Sequence, residues 1–311
     1  MNIIEFGDCR ETMRRWANEG VKAQTCVTSP PYYGLRDYGR DGQIGLEETP
    51  EEYIDAMVEV FRCVRDVLAD DGTVWLNIGD SYAGSGKGPA GNLGKTHNER
   101  HLEHTIASGN VPVGCKPKDL IGIPWMLAFA LRADGWYLRQ DIIWHKPNPM
   151  PESVQDRCTK AHEYIFLLSK SQKYYYDADA IKEKSIHAGE PRSFNSPKKA
   201  MRNVTGGIST GNEHPDALPV EIAESKNKRS VWTVQTKPFK GAHFATFPQE
   251  LIEPCILAGA PVGGIVLDPF MGSGTTAQVA QNLGRQYIGC ELNTDYKPLQ
   301  DKRVAQQALV L

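Results

Sequence analysis

Short apolar runs alternate with amphipathic stretches along most of this 311-residue chain. Between apolar runs at residues 23–28 and 73–78, the segment 50–69 carries its apolar residues at helical spacing. The same alternation returns over residues 248–291. Because strands that alternate with helices typically form parallel sheets covered by those helices, the pattern predicts an α/β fold.

Two segments interrupt this pattern. Residues 81–118 are rich in Gly, Lys, His and Asn and are too long for an ordinary connection, so they form either a disordered or a functional loop. Residues 177–230 lack periodicity, and we interpret them as a small inserted module. The predicted strands cover residues 2–7, 23–28, 73–78, 137–144, 164–168, 264–267 and 286–290. The predicted helices cover residues 11–18, 50–69, 119–133, 248–257 and 275–283, with a terminal helix after them.

Positive charge is concentrated in two stretches that overlap these segments. The net charge of the chain is −3, yet residues 182–240 hold 11 Lys and Arg against 6 Asp and Glu. Residues 82–118 hold 5 against 2. Basic segments on an acidic body can neutralise a nucleic-acid backbone. Two solvated, lysine-rich loops explain the charge alone equally well.

Cysteine usage and hydropathy indicate a soluble, cytoplasmic protein. The seven Cys residues form no CxxC pair, which favours reduced thiols over disulfides or a structural zinc site. The N-terminus has no apolar signal region, and the longest apolar stretch, residues 124–131, is too short to span a membrane. His97, His101 and His104 have no familiar zinc spacing, so no metal is expected.

A glycine-rich turn between a strand and a helix indicates a ligand site near the C-terminus. Asp268 ends the strand, and Gly272 and Gly274 allow close approach of a ligand to the backbone. Glu291 ends the next strand, at the distance typical of an acidic residue that binds ribose hydroxyls. A nucleoside-containing cofactor is therefore expected. Ala277 stands where the dinucleotide fingerprint has its third glycine, which disfavours a dinucleotide only weakly, since Ala is a tolerated variant.

The run Thr28-Ser29-Pro30-Pro31-Tyr32 follows the second predicted strand. The Ser29 hydroxyl and the Pro30 carbonyl can accept hydrogen bonds from an amine, and proline fixes the turn without a competing N–H. Tyr32 offers a face on which an extruded base can stack. This chemistry suits the holding of a planar, amine-bearing base. The alternative is a rigid strand-ending turn in which Tyr32 is simply packed.

Together these motifs resemble those of the DNA amino-methyltransferases, and the resemblance covers most of the chain. Residues 29–32 match the catalytic motif of that family, and residues 268–274 match its cofactor motif. Residues 243–248 look like the segment that precedes the cofactor motif. The catalytic motif comes first, as in the permuted group called beta.

The resemblance implies a Rossmann-like, mostly parallel, seven-stranded methyltransferase sheet that is circularly permuted. Residues 1–176 and 231–311 would form the catalytic domain, residues 177–230 a target-recognition module, and residues 81–118 a long basic loop. The strand at residues 2–7 would supply the sheet position beside the Glu291 strand.

The resemblance also implies S-adenosyl-L-methionine as the cofactor. Asp268 and Phe270 would contact its methionine portion, and Glu291 its ribose. Asp8 would lie near its adenine, or would instead cap the first helix. The implied cofactor-binding residues are Asp8, Thr28, Asp268, Phe270, Gly272, Ser273, Gly274, Thr275 and Glu291. The implied catalytic residues are Ser29, Pro30, Pro31 and Tyr32, with Asp80 as a weaker site candidate.

The implied activity is methylation of an exocyclic amine in double-stranded DNA. Ser29, rather than Asp, before Pro-Pro favours cytosine N4, and adenine N6 is the alternative. An RNA base methyltransferase and a non-catalytic DNA-binding protein are the further alternatives. The sequence leaves open whether the protein forms a homodimer and whether a cognate restriction enzyme accompanies it.

Overall fold

The computed structural model describes residues 1–84, 111–186, 188–189, 223–236 and 247–305. It divides into two compact units, one made of Met1–Asp177 with Arg229–Leu311 and the other of Ala178–Lys228. The first unit holds the large sheet and its helices.

The elements of the first unit follow the predicted alternation. The strands are β1 (Asn2–Phe6), β2 (Ala23–Thr28), β3 (Leu68–Ile78), β4 (Tyr137–His145), β5 (His162–Ser169), β8 (Val231–Thr233), β9 (Ile265–Asp268) and β10 (Gln286–Glu291). The helices are α1 (Cys9–Asn18), α2 (Pro50–Val67), α3 (Ile123–Ala133), α4 (Gln249–Gly259), α5 (Thr275–Asn282) and α6 (Lys297–Ala305). A short 3-10 turn, Thr294–Tyr296, precedes α6.

These strands form one sheet in the order β1-β10-β9-β2-β3-β5-β4-β8. It is mostly parallel, as predicted, and β5 is the strand that runs antiparallel to both of its neighbours. The sheet has eight strands, one more than expected. The addition is β8, which pairs with β4 over Val231–Thr233. Three residues are too few to show a period, so sequence could not reveal this strand.

The pairing of β1 with β10 confirms the expected position of the N-terminal strand. Asn2–Phe6 runs parallel to Tyr287–Glu291, and β10 in turn pairs with β9. Strand β2 pairs with β9 on one side and β3 on the other. Because these strands are parallel, all of them end at the same edge of the sheet. The circular permutation itself stays an interpretation of the motif order.

Local capping sets the helix bounds. Helix α2 begins with a capping box between Thr49 and Glu52, with Pro50 in its first turn. It ends at Val67 because the backbone becomes extended at Leu68 (φ −71°, ψ 145°). Strand β3 begins directly at Leu68, earlier than the predicted residue 73, and its first part is irregular because the register against β2 shifts there.

Asp80 caps a helix, which corrects its assignment as a site candidate. Its carboxylate accepts the backbone N–H groups of Gly122 and Ile123, at 3.0 and 3.2 Å to Oδ1. Gly122 precedes α3 with a φ of 88°, which glycine adopts without strain. The helix therefore starts at Ile123 rather than at residue 119. Asp80 does not line the cavity described below.

Helices cover both faces of the sheet. Helices α1, α2 and α3 contribute to one continuous apolar core, in which Trp16, Tyr53, Phe61 and Leu127 are fully buried. Helices α4 and α5 contact each other, α4 packs on β2 and β3, and α5 on β9 and β10. Among the described residues, no helix is long and apolar enough to cross a membrane.

The second unit contains a 3-10 turn, Asp179–Ile181, and a two-stranded antiparallel pair of β6 (Glu183–Lys184) and β7 (Ser225–Lys226). The described part of this unit carries no further regular element. Its role in target recognition stays a prediction. Most of the basic loop, including His97, His101 and His104, lies outside the described residues.

We expect Gly259→Ala to destabilise the protein. A Cβ at Gly259 would lie 2.6 Å from Thr25 Oγ1 and 2.8 Å from Trp75 Nε1, so α4 would have to move away from the sheet. The expected loss is about 1–3 kcal/mol of unfolding free energy, measured by denaturant unfolding. In a Thr25→Ala background the nearest obstacle is gone, and the penalty should shrink. An equal penalty in both backgrounds would show that the contact with Thr25 is not its cause.

Candidate active site

A cavity of about 560 Å³ opens at the edge where the parallel strands end. It is lined by residues that follow β1, β2, β9 and β10, and so brings the two predicted motifs into one space. The predicted residues that line it are Asp8, Ser29, Pro30, Pro31, Tyr32, Asp268, Phe270, Gly272, Ser273, Thr275 and Glu291. Thr28 and Gly274 do not line it.

Asp268 links the two halves of the site through buried hydrogen bonds. Its carboxylate accepts from Thr28 Oγ1 at 2.7 Å and from Thr276 Oγ1 at 2.6 Å. The backbone N–H of Phe270 donates to it at 3.0 Å. Burial raises the pKa of Asp268 to about 6, although these hydrogen bonds oppose the rise. Thr28 therefore serves the site by tying the end of β2 to the end of β9.

The glycine turn is closed by Glu291. Gly272 has a φ of 53° and donates its N–H to Glu291 Oε2 at 2.7 Å. Asn293 donates its N–H to the other oxygen at 2.8 Å. Burial raises the pKa of Glu291 to about 7. Each carboxylate oxygen has a second lone pair, so a ribose contact remains chemically possible and stays a prediction.

Gly274 and Thr275 hold the turn against α6. A Cβ at Gly274 would lie 3.3 Å from the Cα of Gln300, and Gly274 has a φ of 87°. The Gln300 side chain donates to the carbonyl of Gly272 at 2.7 Å. Arg303 donates to Thr275 Oγ1 at 2.5 Å. Both predicted residues thus fix the turn against α6, Gly274 from outside the cavity and Thr275 from its lining.

Ser273 lines the cavity and has a buried hydroxyl without a hydrogen-bond partner among the described residues. The residue is 4% exposed, and its Oγ has no hydrogen-bond partner among the described residues. A buried hydroxyl without a partner costs free energy, which a ligand can recover by hydrogen bonding. The turn therefore has a polar group to offer to a bound molecule.

Asp8 caps α1 and also lines the cavity. Its carboxylate accepts the backbone N–H of Arg10 at 2.7 Å and pairs with the guanidinium of the same residue. This hydrogen-bonded arginine lowers the pKa of Asp8. The capping role is thus present in the structure, while contact with a cofactor stays a prediction.

The residues of the Ser29–Tyr32 turn are held from several directions. Tyr53, from the core, donates its hydroxyl to the Pro31 carbonyl at 2.9 Å. Tyr32 donates its hydroxyl to Glu163 Oε2 at 2.8 Å. A Cβ on Gly79 would lie only 2.7 Å from Tyr32 Cε2, so the Tyr32 ring packs against the backbone at a position where only glycine fits. Stacking of Tyr32 on a base stays a prediction.

Three polar residues that sequence reasoning missed lie beside Tyr32. Asn77 is the second-last residue of β3, Glu163 is the second residue of β5 and Lys146 follows β4, and all three line the cavity. Lys146 forms an ion pair with Glu163, and its ammonium lies 4.2 Å from the centre of the Trp144 ring.

The loop after the Ser29–Tyr32 turn lines the cavity and carries basic side chains. The N–H of Gly34 donates to the carbonyl of Gly45 at 2.9 Å and closes the loop. Arg40 donates to Asn293 Oδ1 at 2.8 Å and contacts Asp295 at 2.5 Å. Arg36 and Arg40 both line the cavity. Of the segment 243–248, only Phe247 and Pro248 are described, and Phe247 also lines it.

Two curated relatives match nearly the whole chain. The Type II methyltransferase M.Cfr9I of Citrobacter freundii is 46% identical over 291 residues, which are 93% of this chain and 83% of that protein. The Type II methyltransferase M.SmaI of Serratia marcescens is 46% identical over 302 residues, covering 97% of this chain and 90% of the other.

Solved structures share the fold at low sequence identity. The cytosine-N4-specific PvuII DNA methyltransferase gives a TM-score of 0.61 at 18% identity, over 97% of this chain and 86% of that one. The M1.HpyAVI–SAM complex gives 0.54 at 17% identity, over 98% and 99%. The family model described as DNA methylase matches residues 23–302, a span that contains both the Ser29–Tyr32 turn and the glycine turn. The chain therefore belongs to the DNA methylase family.

Proposed function

We propose that this protein transfers a methyl group from S-adenosyl-L-methionine to the exocyclic amine of a base extruded from double-stranded DNA, with cytosine N4 as the preferred amine. The observation that carries the proposal is the buried link of Thr28 to Asp268, which brings an amine-binding turn and a ligand-binding glycine turn to one cavity. The relatives named above are Type II methyltransferases, which supports the reaction class.

The residues at the glycine turn fit the proposed cofactor. Ser273 offers a buried hydroxyl without a partner among the described residues. Asp8, Asp268 and Glu291 supply carboxylates to a cavity wall that would face a cationic molecule. When bound, S-adenosyl-L-methionine supplies an electrophilic methyl group on its sulfonium. Phe270 and Gly272 would line the methionine side, and Glu291 would hold the ribose.

Ser29 and Pro30 would act on the amine. The lone pair of an exocyclic amine is delocalised into the base, so the nitrogen is a poor nucleophile. Acceptors at the Ser29 hydroxyl and the Pro30 carbonyl would favour a pyramidal nitrogen and stabilise the positive charge that develops on it. Tyr32 would stack on the base, and the shared cavity would align amine and methyl group.

The charges at the cavity rim suit a nucleic acid. Arg36, Arg40 and Lys146 line the cavity, where they can contact phosphates beside an extruded base. We propose that the unit Ala178–Lys228 recognises the target sequence, because it interrupts the α/β pattern and overlaps the basic stretch 182–240. We also propose a cytoplasmic restriction-modification role alongside a cognate restriction enzyme, which the similarity to Type II methyltransferases supports. A homodimer stays an open prediction.

The reaction product tests the proposed function. The protein is incubated with labelled S-adenosyl-L-methionine and unmethylated double-stranded DNA, and in parallel with RNA. The nucleic acid is then digested to nucleosides and analysed by mass spectrometry. We expect N4-methylcytosine from DNA. N6-methyladenine from DNA would show that adenine, and not cytosine, is the target base. A methylated nucleoside from RNA alone would identify an RNA methyltransferase. No methylated nucleoside from either substrate would overturn the enzymatic function.

We expect Tyr32→Ala to lower the single-turnover methylation rate at least about 100-fold, because stacking of a base contributes about 1–3 kcal/mol and the turn also loses its hydroxyl contacts. Cofactor affinity, measured by calorimetry, should change less than threefold. Tyr137→Ala is the matched control, since Tyr137 is exposed and begins β4 opposite Ser169, at the far edge of the sheet. A Tyr32→Ala enzyme as active as this control would remove the stacking role.

Cofactor affinity should rise with pH. The pKa values of Asp268 and Glu291 are raised to about 6 and 7, so near pH 5.5 both carboxyls are largely neutral and at pH 8 both are charged. A cationic ligand favours the charged forms, so its binding should release protons and be about tenfold tighter at pH 8.

Titration calorimetry in two buffers of different ionisation enthalpy measures both effects. S-adenosylhomocysteine, which lacks the sulfonium charge, is the control and should show a weaker dependence. The same pH dependence for both ligands would contradict an electrostatic contact with these carboxylates.

A further inference from the structure

Glu163 lies between a cation and the hydroxyl of Tyr32. Its Oε1 forms the ion pair with Lys146, and its Oε2 accepts from Tyr32 at 2.8 Å. The Glu163 and Lys146 side chains are 16% and 18% exposed. A carboxylate with so little access to water needs a partner to stay charged. Lys146 provides that partner on one oxygen, which leaves the other as a strong acceptor for Tyr32.

The charge on Glu163 fixes the direction of the Tyr32 proton. An ionised carboxylate only accepts hydrogen bonds, so Tyr32 must donate to it. The competing acceptor, Asn77 Oδ1, is farther away, at 3.4 Å. Asn77 in addition donates to the Tyr164 carbonyl at 3.1 Å, which keeps its amide in place. The Tyr32 oxygen is thus left with its lone pairs free to accept.

Ser29 is the next group in this chain of donors. Its hydroxyl donates to the Tyr32 oxygen at 3.4 Å, a long contact of the kind that tightens when substrate is bound. With its proton directed at Tyr32, the Ser29 oxygen keeps its lone pairs for a ligand in the cavity. The opposite orientation would point a proton at the amine and oppose the charge that develops there.

We propose that Glu163 is a positioning residue which, through Tyr32, sets the Ser29 hydroxyl as a hydrogen-bond acceptor toward the substrate amine. This inference rests on the proposed function, because it assigns a role within the same reaction. Lys146 supports it by holding the other Glu163 oxygen in an ion pair. The alternative is that the Glu163–Lys146 ion pair only stabilises the pairing of β5 with β4 and makes no contribution to the reaction.

Glu163→Gln separates the two roles because it keeps the shape and reverses the hydrogen bonding. The Lys146 ammonium only donates, so the amide oxygen of Gln must face it. The amide NH₂ then faces Tyr32 and donates to it. The Tyr32 proton is then left with two acceptors, Asn77 Oδ1 and the Ser29 oxygen, each at 3.4 Å. When it turns toward Ser29, the Ser29 proton is displaced into the cavity. The variant therefore directs a hydroxyl proton at the substrate amine, while a side chain of nearly the same size still lines the cavity.

We expect Glu163→Gln to lower the single-turnover methylation rate on unmethylated double-stranded DNA about 10- to 100-fold. The affinities for S-adenosyl-L-methionine and for DNA should change less than threefold, and the melting temperature by a few degrees at most. Glu152→Gln is the matched control, because Glu152 also forms an ion pair, with Arg157, and does not line the cavity. It should react as the wild type does.

The Tyr32→Phe background tests the route of the effect. Without the Tyr32 hydroxyl, Glu163 has no path to Ser29, so Glu163→Gln should cost less than about twofold there. A full 10-fold loss in that background, or no loss in the wild-type background, would overturn the positioning role. Failure of the proposed function is a separate result, since the wild type itself would then form no methylated nucleoside.

Discussion

The buried carboxylate of Asp268 is the contact on which the site depends. Strands β2 and β9 are neighbours in the sheet but far apart in the chain. Asp268, which ends β9, accepts hydrogen bonds from the hydroxyl of Thr28, which ends β2, and from the hydroxyl of Thr276 in α5. A carboxylate that is 1% exposed is tolerated only because these donors surround it. The Ser29–Tyr32 turn and the glycine turn are consequently held in a fixed position relative to each other.

A second feature of the site is that some of its buried polar groups have fewer hydrogen-bond partners than they can use. Glu291 is satisfied by backbone N–H groups and still carries a raised pKa, and Ser273 has no partner among the described residues. Such groups lower the stability of the ligand-free protein and favour binding of a cationic, hydrogen-bonding molecule. On the other side of the cavity, Glu163 is fully paired, which suits a role in orientation.

Sequence predicted most of the fold because long apolar and amphipathic segments determine it. It also predicted that the N-terminal strand pairs beside the strand of Glu291, since motif order left no other neighbour. It missed Glu163 and Lys146, because they meet only through the antiparallel pairing of β5 with β4, which no local pattern encodes. Asp80 is the opposite case. Its position after a strand made it a site candidate, whereas in the structure its carboxylate caps α3.

The central claim is that one cavity holds the methyl donor at the glycine turn and the amine at Ser29 and Pro30. A crystal structure of the protein with S-adenosylhomocysteine tests it most directly. The account predicts the ligand beside Gly272 and Ser273, with the Ser273 hydroxyl bonded to it and its sulfur facing the Ser29–Tyr32 turn. A ligand bound elsewhere, or with its sulfur turned away from that turn, would contradict it.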